Sequence, residues 1–357
     1  MPPASDPPRT SSPPFIPPPS PPPTIKPSSN DIESTTSLPP RRRALLPGFT
    51  NPPSIRTFLR HNAHDISTQL LCLLTAYILY QFCPPIMPRH FPFYPGIEKT
   101  AWGMKHSKPH MAEYITTNVS AVTSFAVPAA IMGVYAVWWE RKFQGANAAL
   151  IGLGYALSTA TLFQSFIKIF VGGLRPHFLT LCLPAIPPST PGLPGAAGVE
   201  YFTPKQVCTA SGKPVKEAQM SFPSGHACAA FAGFGFLALW LNAKFKVLSR
   251  DVRGRDPVEY HEENAEEMQK TNQTQRVHHW KLVLFVAPWC IAVVLALSKL
   301  RDAWHHPVDI VFGALVGTAF AHMAYKMVYR SVYDSRMNHV PLGGVSGERV
   351  DVERKEV

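Results

Sequence analysis

HACAAFAGFGFLALWLNAKFKV, residues 226–247, is the stretch on which the fold turns. From Ala227 to Ala243 it carries no Asp, Glu, Lys or Arg, and Ala229, Ala230, Ala232, Gly233 and Gly235 make it rich in small residues. Coiled as a helix, a run of roughly 20 apolar residues covers the hydrocarbon core of a bilayer. Comparable runs lie at 66–83, 115–138, 148–171, 281–299 and 308–328. The expected fold is therefore all-α, a polytopic membrane protein with six transmembrane helices. Small residues recur in the third run (Gly152, Gly154, Ala156, Ser158, Ala160) and the sixth (Gly313, Ala314, Gly317, Ala319). They let helices approach closely in lipid, which favours a packed bundle over separate anchors.

Outside the spans the composition changes. Residues 1–55 are crowded with proline, in runs such as Pro17 to Pro19 and Pro21 to Pro23 mixed with Ser and Thr. Such a segment buries too little apolar surface to offset its ordering entropy, so a disordered tail is expected, with a polyproline ligand for an SH3-like partner as the other reading. The chain opens without a charged and then apolar leader, so no cleavable signal peptide is expected and the first span would do the targeting. Residues 249–279, with Glu262, Glu263, Glu266 and Glu267 among basic residues, read as a polar cytosolic loop, and 331–357 as a disordered C-terminal tail.

The net charge of +11 is spread through the loops, which argues for membrane topology and against a nucleic-acid partner. Arg41 to Arg43, Arg56 and Arg60 precede the first span. Arg141 and Lys142 separate the second and third, Lys244, Lys246 and Arg250 follow the fourth, and Lys326 and Arg330 close the sixth. Basic loops tend to stay cytosolic, so both termini are expected there, although Arg89, Lys99, Lys105 and Lys108 also occupy the first outer loop. On this topology the Asn272-Gln273-Thr274 acceptor faces the cytosol and carries no glycan. The six cysteines form no C-x-x-C pair and no zinc spacing, so no metal site is expected. Cys182 and Cys208 share one outer loop, where a disulfide or two free thiols are both open readings.

Ionisable residues at span ends are costly near lipid and default to functional candidates. Lys168 and Arg175 lie seven residues apart at the end of the third span, nearly two helical turns, so both would point the same way or snorkel to headgroups. The fourth span opens Phe222-Pro223-Ser224-Gly225-His226, and a helix start with free N–H groups is a ready anion site. Between the fifth and sixth spans runs Ser298-Lys299-Leu300-Arg301-Asp302-Ala303-Trp304-His305-His306-Pro307-Val308-Asp309. With Pro307 opening the sixth helix, Asp309 can fold back on His305 and hold one ring nitrogen, leaving the other as a nucleophile. Six spans bring all these helix ends to one membrane face. Two histidines, a carboxylate and several cations there suit phosphoryl transfer, which needs positioning and positive charge on the phosphoryl oxygens.

These residues resemble the three signatures of the type 2 phosphatidic acid phosphatases, or lipid phosphate phosphatases, which are related to vanadium haloperoxidases. They read here as Lys168-x6-Arg175-Pro176, Pro223-Ser224-Gly225-His226 and Ser298-Lys299-x5-His305-x3-Asp309. The resemblance spans about residues 60–330 and implies a six-span membrane phosphatase domain. It implies that His305 attacks phosphorus and forms a phosphohistidine, that Asp309 orients it, and that His226 is the acid and later the base. Lys168, Arg175, Ser224 and Gly225 would bind the phosphoryl oxygens, with no metal or other cofactor. The family has arginine where this chain has Lys299, which loses the bidentate fork; Arg301 is expected to compensate in part. Phe93-Tyr94-Pro95 resembles the fungal branch acting on diacylglycerol pyrophosphate, phosphatidate and lysophosphatidate. A membrane lipid is thus the expected substrate, with the site on the lumenal or extracellular face of a vacuolar, endoplasmic reticulum or plasma membrane. The rival readings are a lipid phosphotransferase and a non-catalytic lipid-binding protein.

Overall fold

A computed structural model of the chain describes residues 48–49, 52–187, 190–248, 277–335 and 337–342. Most of the expected Pro-rich tail, residues 249–276 with Asn272-Gln273-Thr274, and residues 343–357 lie outside the described residues.

Among the described residues ten α-helices follow in chain order: α1 (Ile55–Phe82), α2 (Ala101–His106), α3 (Thr117–Tyr135, prolonged by a π-turn over Ala136–Glu140), α4 (Phe143–Phe170), α5 (Phe178–Cys182), α6 (Pro204–Val207), α7 (Lys213–Ala218), α8 (Gly225–Phe245), α9 (His279–Arg301) and α10 (Pro307–Val328). Of these, α3, α4, α8, α9 and α10 are long and apolar enough to cross a membrane. The first expected span is the exception. Helix α1 is 28 residues long, but Arg56, Arg60, Asp65 and Gln69 dilute its apolar run. Its inner face carries polar groups toward α4, where Gln69 donates to the Ile151 carbonyl and Asn147 donates to Asn62. Its outer face exposes Leu70, Leu71, Leu74 and Ile78.

Helix α8 is the hub and packs against α3, α4, α9 and α10. The small residues explain how. A Cβ on Gly313 would stand 2.5 Å from the Ser224 carbonyl oxygen, and one on Gly317 would collide with that of Cys228, so α10 lies with its backbone against α8. A Cβ on Gly233 would likewise strike the Ser124 carbonyl of α3. Apolar attraction between helices is weak when lipid is the alternative, so this close backbone approach is what the glycines contribute. Phe234, Phe236, Trp240 and Tyr325 fill the remaining space.

At one end of the bundle the connections 83–116 and 171–224 build a cap that the hydropathy pattern does not reveal. Its sheet has strand order β1-β3-β2, from β1 (Phe91–Pro92), β2 (Leu193–Pro194) and β3 (Glu200–Phe202), all antiparallel. Phe91, Phe178, Leu179, Phe202 and Val207 form its own apolar cluster. Cys182 and Cys208 are joined in a disulfide beneath it. At the opposite end, the described residues after α10 return to the bundle. Arg330 donates to the Val340 carbonyl, Leu342 to that of Val328, and the buried Tyr325 hydroxyl to that of Asn338. A buried tyrosine hydroxyl needs an acceptor, and the returning chain supplies it.

Candidate active site

The end of α4, the start of α8 and the connection between α9 and α10, with parts of α1, α3 and α7, surround a cavity of about 500 Å³. Lys168, Arg175, Gly225, His226, Trp304 and His305 line it. Lys168 and Arg175 do not share a helix face, as their spacing suggests, because α4 ends at Phe170. The chain turns instead through Gly172 and Gly173, both at positive φ, where a side chain on Gly172 would crowd the Gln219 carbonyl. Ser221 and Phe222 donate back to the Gly173 and Gly172 carbonyls, and Arg175 N–H donates to that of Ala218. The segment leading into α8 and the one carrying Arg175 therefore move as one piece.

Neither Lys168 nor Arg175 forms an ion pair among the described residues, although both are buried. Arg175 Nε and Nη1 have no hydrogen-bond partner, and its Cζ lies 4.7 Å from the Trp304 ring centroid. Burial pulls the Arg175 pKa down, with Tyr80 and Glu217 partly opposing. A guanidinium stays protonated regardless, so the site holds an unneutralised positive charge.

His305 is buried between α9 and α10, its Nδ1 3.5 Å from Asp309 Oδ2. That is longer than a formed hydrogen bond. Asp309 is itself fixed: its Oδ2 accepts from Ser221 Oγ at 2.5 Å and from the His306 N–H at 2.9 Å. Burial drives the His305 pKa down to about 3 against the opposing influence of Asp309, so the ring is neutral at physiological pH. His226 stands one residue into α8, and its Nε2 is buried without a partner. Ser224 caps that helix, its Oγ accepting from the Ala227 N–H at 3.4 Å, and lies fully buried behind Gly225.

Lys299 and Arg301 are not brought into the cavity wall. Lys299 is fully buried. Its Nζ donates to the Ile115 carbonyl at 2.6 Å and lies 3.4 Å from Glu113 and 3.7 Å from Asp302. With Tyr114 N–H donating to Asp302 and Trp304 Nε1 to the Met111 carbonyl, it ties residues 111–115 to the end of α9. Arg301 is 68% exposed, 3.4 Å from Asp302 and stacked 4.5 Å from the Tyr114 ring centroid. The compensation expected of it needs a side chain turned the other way, and on α9 it faces outward. Sequence reasoning passed over Ser221, Glu113 and Trp304, which brace the site, and Gln164, Tyr80 and Glu217, which line it. Only Ser221, next to Phe222-Pro223, carried a local signal.

Residues 149–333 match the model of the PAP2 superfamily, a stretch that takes in Lys168 through Asp309, and the chain belongs to that superfamily. A PA-phosphatase related-family protein of Dictyostelium discoideum is 29% identical over 237 residues, covering 66% of this chain and 63% of the relative. Probable lipid phosphate phosphatase 4 of Arabidopsis thaliana is 30% identical over 208 residues, 58% of this chain and 56% of its own length. Diacylglycerol pyrophosphate phosphatase 1 of Saccharomyces cerevisiae is 28% identical over 226 residues, 62% of this chain and 67% of the relative. The chain thus spans less than two thirds of the first two relatives. No solved structure matches it.

Proposed function

We propose that this protein is an integral-membrane hydrolase that removes phosphate from lipid phosphates such as phosphatidate or diacylglycerol pyrophosphate, through a phosphohistidine on His305. The observation that carries the reading is the convergence of two histidines and two buried cations, neither in an ion pair among the described residues, on one cavity at a helix N-terminus. Buried cations without counter-charges are unfavourable unless an anion completes them. Lys168, Arg175 and the first-turn N–H groups of α8 would hold the phosphoryl oxygens. With Nδ1 toward Asp309, His305 Nε2 forms the N–P bond as the P–O bond to the leaving group breaks, and His226 gives that oxygen its proton. Water then attacks phosphorus, His226 takes its proton, the N–P bond breaks and inorganic phosphate leaves. The resident cations supply the positive charge, so the reaction runs without a metal.

Topology follows from the same frame. The basic residues Arg56, Arg60, Arg141, Lys142, Lys244 and Lys326 lie at helix ends opposite the site, the end proposed to face the cytosol together with both termini. The Cys182–Cys208 disulfide beneath the cap suits an oxidising lumenal or extracellular side. The exposed leucine face of α1 is apolar enough to meet lipid, and α1 is proposed as the sixth span. The test is phosphate release from a panel of lipid phosphates and pyrophosphates in EDTA, wild type against His305→Ala. Release by the wild type alone is expected; loss on chelation, or release by the variant, refutes the mechanism.

A further inference from the structure

The cavity continues past the cations along α1, α3 and α4. On α4, Thr161 lines it seven residues before Lys168, ~10 Å deeper. On α1, Leu73 lines it the same distance before Tyr80. The far part of its wall carries the apolar side chains Leu73, Ala76, Ala121 and Ala229, with Leu73 exposed at the bundle surface. Between it and the cations lies a belt of uncharged polar side chains, among them Ser120, Gln164 and Ser165.

Two atoms of this belt are buried without a hydrogen-bond partner, Gln164 Oε1 and Ser120 Oγ. Gln164 is anchored at its other amide atom, Nε2 donating to Ser165 Oγ at 2.9 Å, so Oε1 is the atom left over. It abuts the first turn of α8: a Cβ on Gly225 would stand 3.3 Å from it, one residue from His226. Buried polar atoms are nearly always paired, so these two mark where polar groups of a ligand belong. A lipid phosphate with its phosphorus at His305 and its chains at Leu73 and Ala76 would pass its backbone carbons through this belt.

We propose that Gln164 and Ser120 form a backbone subsite that selects phosphates of glycerol-type lipids over phosphates of polyprenyl alcohols. In lysophosphatidate the free hydroxyl on the carbon next to the phosphate-bearing carbon donates to Gln164 Oε1; in phosphatidate that carbon carries an ester, whose oxygen accepts from Ser120 Oγ. A polyprenyl alcohol carries neither, and leaves both buried atoms unpaired, which is how a hydrogen-bonding site rejects an analogue lacking the group. The subsite rests on the phosphatase reading above.

The test compares kcat/KM for phosphatidate, lysophosphatidate and farnesyl phosphate in mixed micelles. The proteins are wild type, Gln164→Leu, Ser120→Ala and His305→Ala. Wild type should favour both glycerol lipids over farnesyl phosphate by ~100-fold or more. Gln164→Leu should narrow that ratio at least ~10-fold for lysophosphatidate, and Ser120→Ala should narrow it for phosphatidate. Ser120→Ala keeps the test open if Gln164→Leu does not fold. Equal use of all three lipids by wild type, or an unchanged ratio in both subsite variants, overturns the subsite alone so long as His305→Ala is inactive. No release from any lipid, or release by His305→Ala, overturns the phosphatase reading and the subsite with it.

Discussion

The two ends of the bundle treat buried cations in opposite ways. Away from the site, Lys244 is paired with Glu140 at 2.8 Å and lies over the Tyr135 and Trp240 rings. Under the cap, Lys168 and Arg175 have no carboxylate partner among the described residues, and two Arg175 nitrogens have no acceptor there. A paired cation is part of the packing, whereas an unpaired buried one is kept for a ligand. Lys299 obeys the first rule although its motif belongs to the second region, since Glu113, Asp302 and the Ile115 carbonyl already surround it.

That contrast can be broken experimentally. The largest effect is expected at Arg175: Arg175→Lys keeps the charge but loses the planar fork, and kcat should fall ~100-fold to 1,000-fold with an unchanged unfolding midpoint. Steady-state phosphate release and thermal unfolding of the same preparation check both halves. Lys299→Met should show the reverse emphasis. It strands Glu113 and Asp302 and should cost on the order of 3–5 kcal/mol of stability, read as a lowered unfolding midpoint in detergent. Equal stability with a selective loss of kcat would move Lys299 to the phosphate-binding side of the comparison.

Acidification should act through the rings around the site. Burial lowers the pKa of His305 to about 3 and of His177 to about 4, and it also lowers those of His106 and His306. Near pH 7 these rings are neutral in both folded and unfolded chains, so they add no pH dependence. Below about 6.5 the unfolded chain takes up protons that the folded one refuses. Stability should therefore fall steadily from pH 6.5 toward pH 4, seen as a declining unfolding midpoint. The smallest effect is expected at Arg301. Arg301→Ala removes an exposed side chain, and both activity and stability should stay close to wild type, within roughly 0.5 kcal/mol.

How much of this was legible beforehand depends on whether each feature is local. The spans at 226–247 and 308–328 follow from apolar length alone, and α8 and α10 lie almost on those limits. His226, His305 and Asp309 could be brought to one place because helix ends alternate between membrane faces. Pro307 starts α10 as its fixed φ suggests. Lys168 and Arg175 were found through a helical spacing that the structure replaces with a glycine turn. The direction of Lys299 and Arg301 was not legible, because it is decided by Glu113 and Tyr114, nearly two hundred residues away in sequence. The cap escaped for a similar reason: its strands are two or three residues long, and β1 pairs with β3 across about a hundred residues of sequence. Helix α1 was expected from the run at 66–83 but begins earlier, at Ile55, and its polar residues serve contacts with α4 while its leucines face outward.

The most direct test of the division between held and unheld charge is to trap the phosphoenzyme. Wild type, His226→Ala and His305→Ala would be quenched during turnover of phosphatidate labelled in its phosphate, and the protein-bound label tested for acid lability. The expected result is an acid-labile label on wild type, a larger and longer-lived one on His226→Ala, and none on His305→Ala. A label that survives in His305→Ala, or that resists acid, would contradict the assignment of His305 as the nucleophile.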